Sequence, residues 1–249
     1  MGNGRHSGLQ KNNGRRSSLP EGVTDITHKT DSGNYKVFRD TASGGYNYNG
    51  DGKDVMDFFK RKSNFEEVVK SISEKEKDHF YNWAIGEFMG SNKAEYSNLS
   101  SYEQRMLKTY DKILDKSVLH EGIVVRRLAS FSLVNNGSRS VPSDSVLKSM
   151  EGNLVNVRMP LSSSAAAEGL RIGSSGKNVE YVIHIPAGSK GAGMWIGDYR
   201  INAEWGPKQR EFMVNRDTIF KQGKTTYNAK RKVYEVELYY VGRTKHKYD

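Results

Sequence analysis

The chain has 249 residues, enough for one substantial domain or for one domain with a loose extension. An apolar fraction of 35% and a mean hydropathy of −0.75 make it unusually polar. No apolar run approaches the roughly 20 residues of a membrane span, and the first residues lack the hydrophobic stretch of a signal peptide. The lack of cysteine excludes disulfides and cysteine-based metal or nucleophile chemistry, and the six histidines form no HExxH motif or close pair. A formal charge of +10 favours an anionic partner, with nucleotide, nucleic acid, acidic protein and anionic membrane surface all open.

Residues 1–53 are rich in Gly, Asn, Ser and charge, and are expected to form a polar, basic, flexible extension to a domain spanning 54–249. Met1 to Ser18 offers almost nothing to bury. A short local structure is expected at Val37 and Phe38 and at the Gly44-Gly45-Tyr46 turn. Ser63 and Glu66 have capping-box spacing ahead of a helix whose inner face would carry Phe65, Val68, Val69 and Ile72. A second helix, from about Glu74 to Met89, places Phe80, Trp83, Ala84 and Phe88 together. Ser100 and Glu103 form another capping box before Met106, Leu107, Tyr110, Ile113 and Leu114, again at helical spacing. These stripes are core positions.

After Gly122 the texture turns to short apolar runs: Ile123–Val125, Leu154–Met159, Tyr181–Ile185, Gly193–Ile196, Phe212–Val214 and Val233–Val241. Gly, Ser, Asn and Pro punctuate them, as between strands. Helices followed by many short strands predict an α+β fold, a helical lobe leading into a mixed β-sandwich.

Three local features stand out in the β-rich part. Arg126 and Arg127 leave the end of the apolar run Val124-Val125. Leu161 precedes Ser162-Ser163-Ser164, a hydroxyl cluster where a strand should end, before Ala165 to Ala167. Gln209-Arg210-Glu211 leads into Phe212-Met213-Val214, the turn Asn215-Arg216-Asp217-Thr218, and the apolar pair Ile219-Phe220. Taken singly, each has an ordinary explanation: a solvated arginine, a helix cap or loop, an exposed glutamate.

In that order, the three resemble the arginine–serine–glutamate class of mono-ADP-ribosyltransferases, which contains the C3-like exoenzymes and the binary actin-modifying toxins. That class carries an aromatic or apolar residue followed by Arg, a Ser-Thr-Ser-like strand end, and a Glu-x-Glu or Gln-x-Glu loop. The matching residues here are Val125-Arg126, Ser162-Ser163-Ser164 and Gln209-x-Glu211. Tyr181 to Lys190 also resembles the strand and Pro-x-Gly turn between the last two motifs. The likeness covers about residues 60–240. It departs from the pattern in the middle motif, Ser-Ser-Ser, and in the poorly matched stretch from Asn135 to Asn153. A competing Glu235-Val236-Glu237 alternates with apolar residues, as solvent-facing carboxylates of a terminal strand would.

The resemblance implies an ADP-ribosyltransferase-like fold and an enzyme that cleaves NAD, its co-substrate, at the nicotinamide–ribose bond, without a metal. Glu211 would stabilise the positive charge developing on the ribose, a demand it shares with glycoside hydrolysis. Arg126 would fork onto the pyrophosphate. Arg127 is the second candidate, but alternation along a strand lets one of the two face the site. Ser162 would hold Glu211 or the ribose, with Ser164 as its backup. Gln209 goes, in that class, with asparagine or glutamine acceptors or with nucleic-acid bases, whose edges an amide can pair. Trp205 and Tyr199 could stack on the acceptor. The implied partner is a macromolecular acceptor, protein or nucleic acid; an antitoxin or chaperone is allowed, and no membrane span is expected. Such an enzyme acts in a cytoplasm, with secretion and phage delivery both open as routes. The rival readings are a non-catalytic nucleic-acid-binding module and a phage structural protein with a degenerate transferase fold.

Overall fold

A computed structural model describes residues 10–11, 35–36, 62–78, 99–129, 143–157, 160–164, 179–195, 211–246 and 248; residues 10–11, 35–36, Ala129 and Glu211 are described by backbone alone. The expectations at Val37, Phe38, Gly44 to Tyr46, Phe80, Trp83, Ala84, Phe88, Ala165 to Ala167, Tyr199, Trp205 and Gln209 lie outside the described residues.

Helix α1 is Phe65–Lys70, and it buries Phe65 and Val68. Its predicted Ser63–Glu66 capping box does not form. Asn64 occupies the N-cap position without a side-chain cap, because its amide is drawn to tertiary partners, accepting from Val118 N and donating to Lys116 O at 2.7 Å each. Ser63 instead pairs with Leu119 in an isolated β-bridge. A second helical segment covers residues 74–78. Ahead of it Ser73 and Glu76 exchange the reciprocal cap bonds, at the start expected for the second helix.

Helix α2, Ser101–Leu114, begins as predicted. The Ser100 side chain accepts from the Glu103 N–H, and the Glu103 carboxylate accepts from the Ser100 N–H. Its apolar stripe, Met106, Leu107, Tyr110, Ile113 and Leu114, is fully buried. Each such side chain contributes about 1.5–3 kcal/mol when withdrawn from water. Helix α3, Asp144–Ser149, falls in the stretch without a predicted element and is capped by Ser143.

The strands are β1 (Gln10–Lys11), β2 (Tyr35–Lys36), β3 (Gly122–Ala129), β4 (Leu154–Val157), β5 (Leu161–Ser164), β6 (Val179–Ile185), β7 (Gly193–Trp195), β8 (Glu211–Val214), β9 (Thr218–Asn228) and β10 (Val233–Arg243). They follow the order β1-β4-β9-β10-β6-β3-β5-β8-β7, with β2 pairing β3 off this path. β10 and β6 run parallel, as do β2 and β3, while the other pairings are antiparallel, so the sheet is mixed. The α+β expectation holds. The stripe of α2 packs in one cluster with Val125 and Ile183 from the middle of the order, Leu238 from β10, and Phe212, Val214 and Trp195 from its other end. Ser162 to Ser164 are the last three residues of strand β5, where the sequence places a strand end, and all three are buried. No helix among the described residues is long and apolar enough to cross a membrane.

Candidate active site

The sheet brings the three motifs into one transverse row. β3 and β5 meet at one register pair, Arg126 opposite Ser164, and β5 pairs with β8 so that Ser164 stands opposite Glu211. Directly opposed residues share a face, with Cβ atoms about 4.5–5.5 Å apart. Arg126, Ser164 and Glu211 are therefore aligned across three neighbouring strands. The predicted first serine, Ser162, stands opposite Met213, two positions along β5. Register thus favours Ser164 over Ser162 as the neighbour of Glu211.

The two arginines part at the strand, as alternation requires. Arg127 is buried, and its guanidinium donates to the backbone carbonyl of Ser162 at 2.8 Å, tying β3 to β5 beside the single pair that joins them. Arg126 shares the opposite face with Glu180, whose side chain is fully buried. Arg126 donates through Nη1 to Glu180 Oε2 at 2.7 Å. The same carboxylate receives a fork from Arg231, Nη1 to Oε2 at 2.6 Å and Nη2 to Oε1 at 2.8 Å. Nε of Arg126 is buried and finds no partner among the described residues. A buried cationic donor left unpaired is costly, and an anionic oxygen is the group that would satisfy it. This orphaned donor fits the pyrophosphate of a dinucleotide.

Neighbours on that face escape sequence reading because they come from other strands. His184 stands opposite Val124 on β3 and Tyr239 on β10, and its ring stacks on Tyr239 at 4.5 Å and 16°. Burial pushes its pKa down, and the Arg126 charge adds to that against the opposing pull of Glu237. The competing glutamates are not simply solvent-facing as expected. Glu235 is half-buried and accepts from Asn228 at 2.9 Å, and Glu237 accepts from the Tyr239 hydroxyl at 2.6 Å. Val236 and Leu238 between and beyond them are buried, as the alternation predicts.

Beyond β8, the turn Asn215-Arg216-Asp217 is buried in an ionic cluster. Arg216 forks onto Asp111 of α2, Nε to Oδ1 at 2.8 Å and Nη2 to Oδ2 at 2.7 Å. His246 bridges Asp217 at 2.9 Å and Asp115 at 3.1 Å, and the Tyr248 hydroxyl donates to Asp111 at 2.7 Å. Burial alone would lower the His246 pKa, but bonds to Asp115 and Asp217 and the field of Asp111 more than offset it, so it is raised. Asp217 adopts φ of 56°, a left-handed conformation that aspartate tolerates better than most residues. The only sequence signal for this cluster is a charged turn between two apolar runs.

No family model and no curated protein sequence matches the chain. Solved structures do. C3stau2 from S. aureus, determined with NAD, superposes with a TM-score of 0.59 over 84% of this chain and 99% of its own, at 18% identity. The Clostridium limosum C3 exoenzyme gives 0.60 over 84% and 98%, at 13% identity. The ADP-ribosylating toxin BECa of a C. perfringens binary enterotoxin, determined with NADH, gives 0.57 over 79% of this chain and 49% of its own, at 15% identity. The fold of this chain is therefore the α+β fold of the C3-like ADP-ribosyltransferases.

Proposed function

We propose that this chain is a mono-ADP-ribosyltransferase that cleaves NAD at the nicotinamide–ribose bond and passes ADP-ribose to a macromolecular acceptor. The observation that carries the reading is the row Arg126–Ser164–Glu211, three motif residues from distant parts of the sequence opposed across β3, β5 and β8. The likeness to NAD-bound C3stau2 supports the same ligand.

NAD supplies the ADP-ribosyl group and the nicotinamide that leaves. Arg126 holds the pyrophosphate through the guanidinium edge that Glu180 leaves open. The Glu211 carboxylate stabilises positive charge that grows on the ribose as the bond breaks, an interaction stronger in the transition state than in the bound substrate. Ser164, opposite both, would hydrogen-bond Glu211 or the ribose, with Ser162 two positions along the strand as its support. Arg127 acts by fixing β5 against β3. No step calls for a metal. Gln209 supports an acceptor that presents an amide or a base edge, with Trp205 and Tyr199 as stacking surfaces.

The test is to incubate the protein with NAD labelled in its adenylate half and a cell lysate, and to follow label into protein and nucleic-acid fractions. Glu211→Gln is run alongside. The proposal expects label in one fraction and a loss of about 10²–10³-fold with Glu211→Gln. Nicotinamide release without label transfer would reduce the activity to hydrolysis. No NAD consumption by either protein would refute the proposal and favour a non-catalytic binding module.

A further inference from the structure

We propose that Arg231 is a positioning residue for the anion site: by taking the fork of Glu180, it leaves Arg126 a net positive charge and an open edge for a diphosphate. The inference rests on the reading of Arg126 as the pyrophosphate ligand. It concerns a residue in the β9–β10 turn, outside the arginine, serine and Gln209-x-Glu211 motifs.

Glu180 is a fully buried carboxylate on β6, two positions from Val182, the register partner of Arg126. Alone with Arg126 it would form the preferred two-bond fork, occupy two guanidinium nitrogens and cancel the charge. The structure has a different division. Arg231 makes the fork, and among the described residues Arg126 is held through Nη1 while its Nε finds no partner. Two cations share the buried Glu180, so its charge is divided between Arg231 and Arg126.

The turn is built to present Arg231 in this way. Its backbone N–H donates to Asn228 Oδ1 at 3.1 Å, and the Asn228 amide donates to Glu235 at 2.9 Å. Glu235 stands 3.4 Å from Arg231 Nη1, farther than Glu180, and is partly solvated. It offsets part of the Arg231 charge and forms no hydrogen bond or ion pair with Arg126. Among the described residues, the other titratable groups on this face include His184, whose pKa is depressed, Glu237, which accepts from Tyr239, Tyr239 itself, and Lys221 opposite Tyr239.

The experiment compares wild type with Arg231→Met, Arg231→Lys and the double variant Glu180→Leu/Arg231→Met in the full chain. Equilibrium binding of NAD and of inorganic pyrophosphate is measured, with kcat and KM for nicotinamide release and a thermal melt for each protein. Arg231→Met should weaken both ligands and raise KM by about tenfold while kcat stays within about twofold, because Glu180 then quenches Arg126. Arg231→Lys keeps the charge without the fork and should fall between. The double variant removes the quenching anion and should recover affinity despite a lower melting temperature. A purely structural Arg231 would lower melting temperatures and leave KM unchanged. The inference is overturned if Arg231→Met and Arg231→Lys bind like wild type, or if the double variant binds no better than Arg231→Met. Should Arg231→Met fail to fold, Arg231→Lys and the double variant decide the matter. Wild type that binds pyrophosphate through Arg126 but does not cleave NAD refutes the proposed function, and the variants still decide this inference. Wild type that binds neither ligand refutes both.

Discussion

Replacing Arg216 by methionine should cost about 3 kcal/mol of folding stability. Asp111 is 1% exposed and receives both bonds of the Arg216 fork. Breaking a buried ion pair from one side leaves the other charge uncompensated, typically at about 3–5 kcal/mol. The lower end applies because the Tyr248 hydroxyl still donates to Asp111 at 2.7 Å and His246 lies 3.5 Å away. For a domain of this size, about 3 kcal/mol lowers Tm by roughly 6–12 °C. Urea and thermal unfolding followed by circular dichroism measure both quantities. The double variant Asp111→Leu/Arg216→Met removes both charges and should recover most of the loss. A single variant within 1 kcal/mol of wild type would refute the reasoning. So would a double variant no more stable than the single, because the cost would then lie in packing and not in the stranded carboxylate.

Two more predictions follow from the same geometry. His246 has a raised pKa, so its contribution is complete below the unfolded value of 6.5 and is lost as pH rises through the folded value. Asp115, held down by His246 and Arg243 despite burial, works in the opposite sense, its contribution being present above 3.8 and lost as pH falls. Stability from this cluster should therefore decline from weakly acidic to alkaline pH, and Tm measured from pH 6 to 9 should flatten in His246→Gln; an equal slope in the variant would remove the histidine from the account. In the row itself, Ser164→Ala should lower kcat for nicotinamide release about tenfold, and Ser162→Ala less than half as much on a logarithmic scale. The reverse order would place the working hydroxyl at Ser162.

How far the sequence reveals this fold depends on whether each element is stabilised locally. Helix α2 is legible because its cap and its stripe both lie within its own residues. Helix α1 is displaced by one residue at its start because the amide of Asn64 finds partners across the fold at Lys116 and Val118. Helix α3 buries Leu147 and little else on its face, too short a pattern to show a period. β9 is hidden for a different reason. Its buried positions beyond Phe220 include Gln222 and Thr225, which look like loop until Gln222 is seen to donate to Leu147 O at 2.8 Å. The motif residues are legible by type and order, but their alignment is a matter of register. The triplet offers Ser162 and Ser164 as candidates, and the pairing of β5 with β3 and β8 sets Ser164 opposite Arg126 and Glu211.

The charge of the chain illustrates the same distinction between composition and site. A net +10 suggests an anionic partner without saying where it binds. The arginines at the heart of the fold are nearly all engaged: Arg127 with a carbonyl, Arg216 with Asp111 and Asp217, Arg231 with Glu180, and Arg243 with Asp115. Among the described residues, lysines such as Lys70, Lys116, Lys224 and Lys230 are exposed, where water and salt screen their charge. Long-range attraction can come from those lysines, but it would be spread over the surface and would weaken with ionic strength. Specific anion binding needs a desolvated donor at a fixed position, and among these arginines Arg126 combines a single carboxylate bond with a buried Nε that has no partner among the described residues. Salt should therefore separate the two contributions: diffuse attraction should fade as ionic strength rises, while pyrophosphate affinity that depends on Arg126 persists.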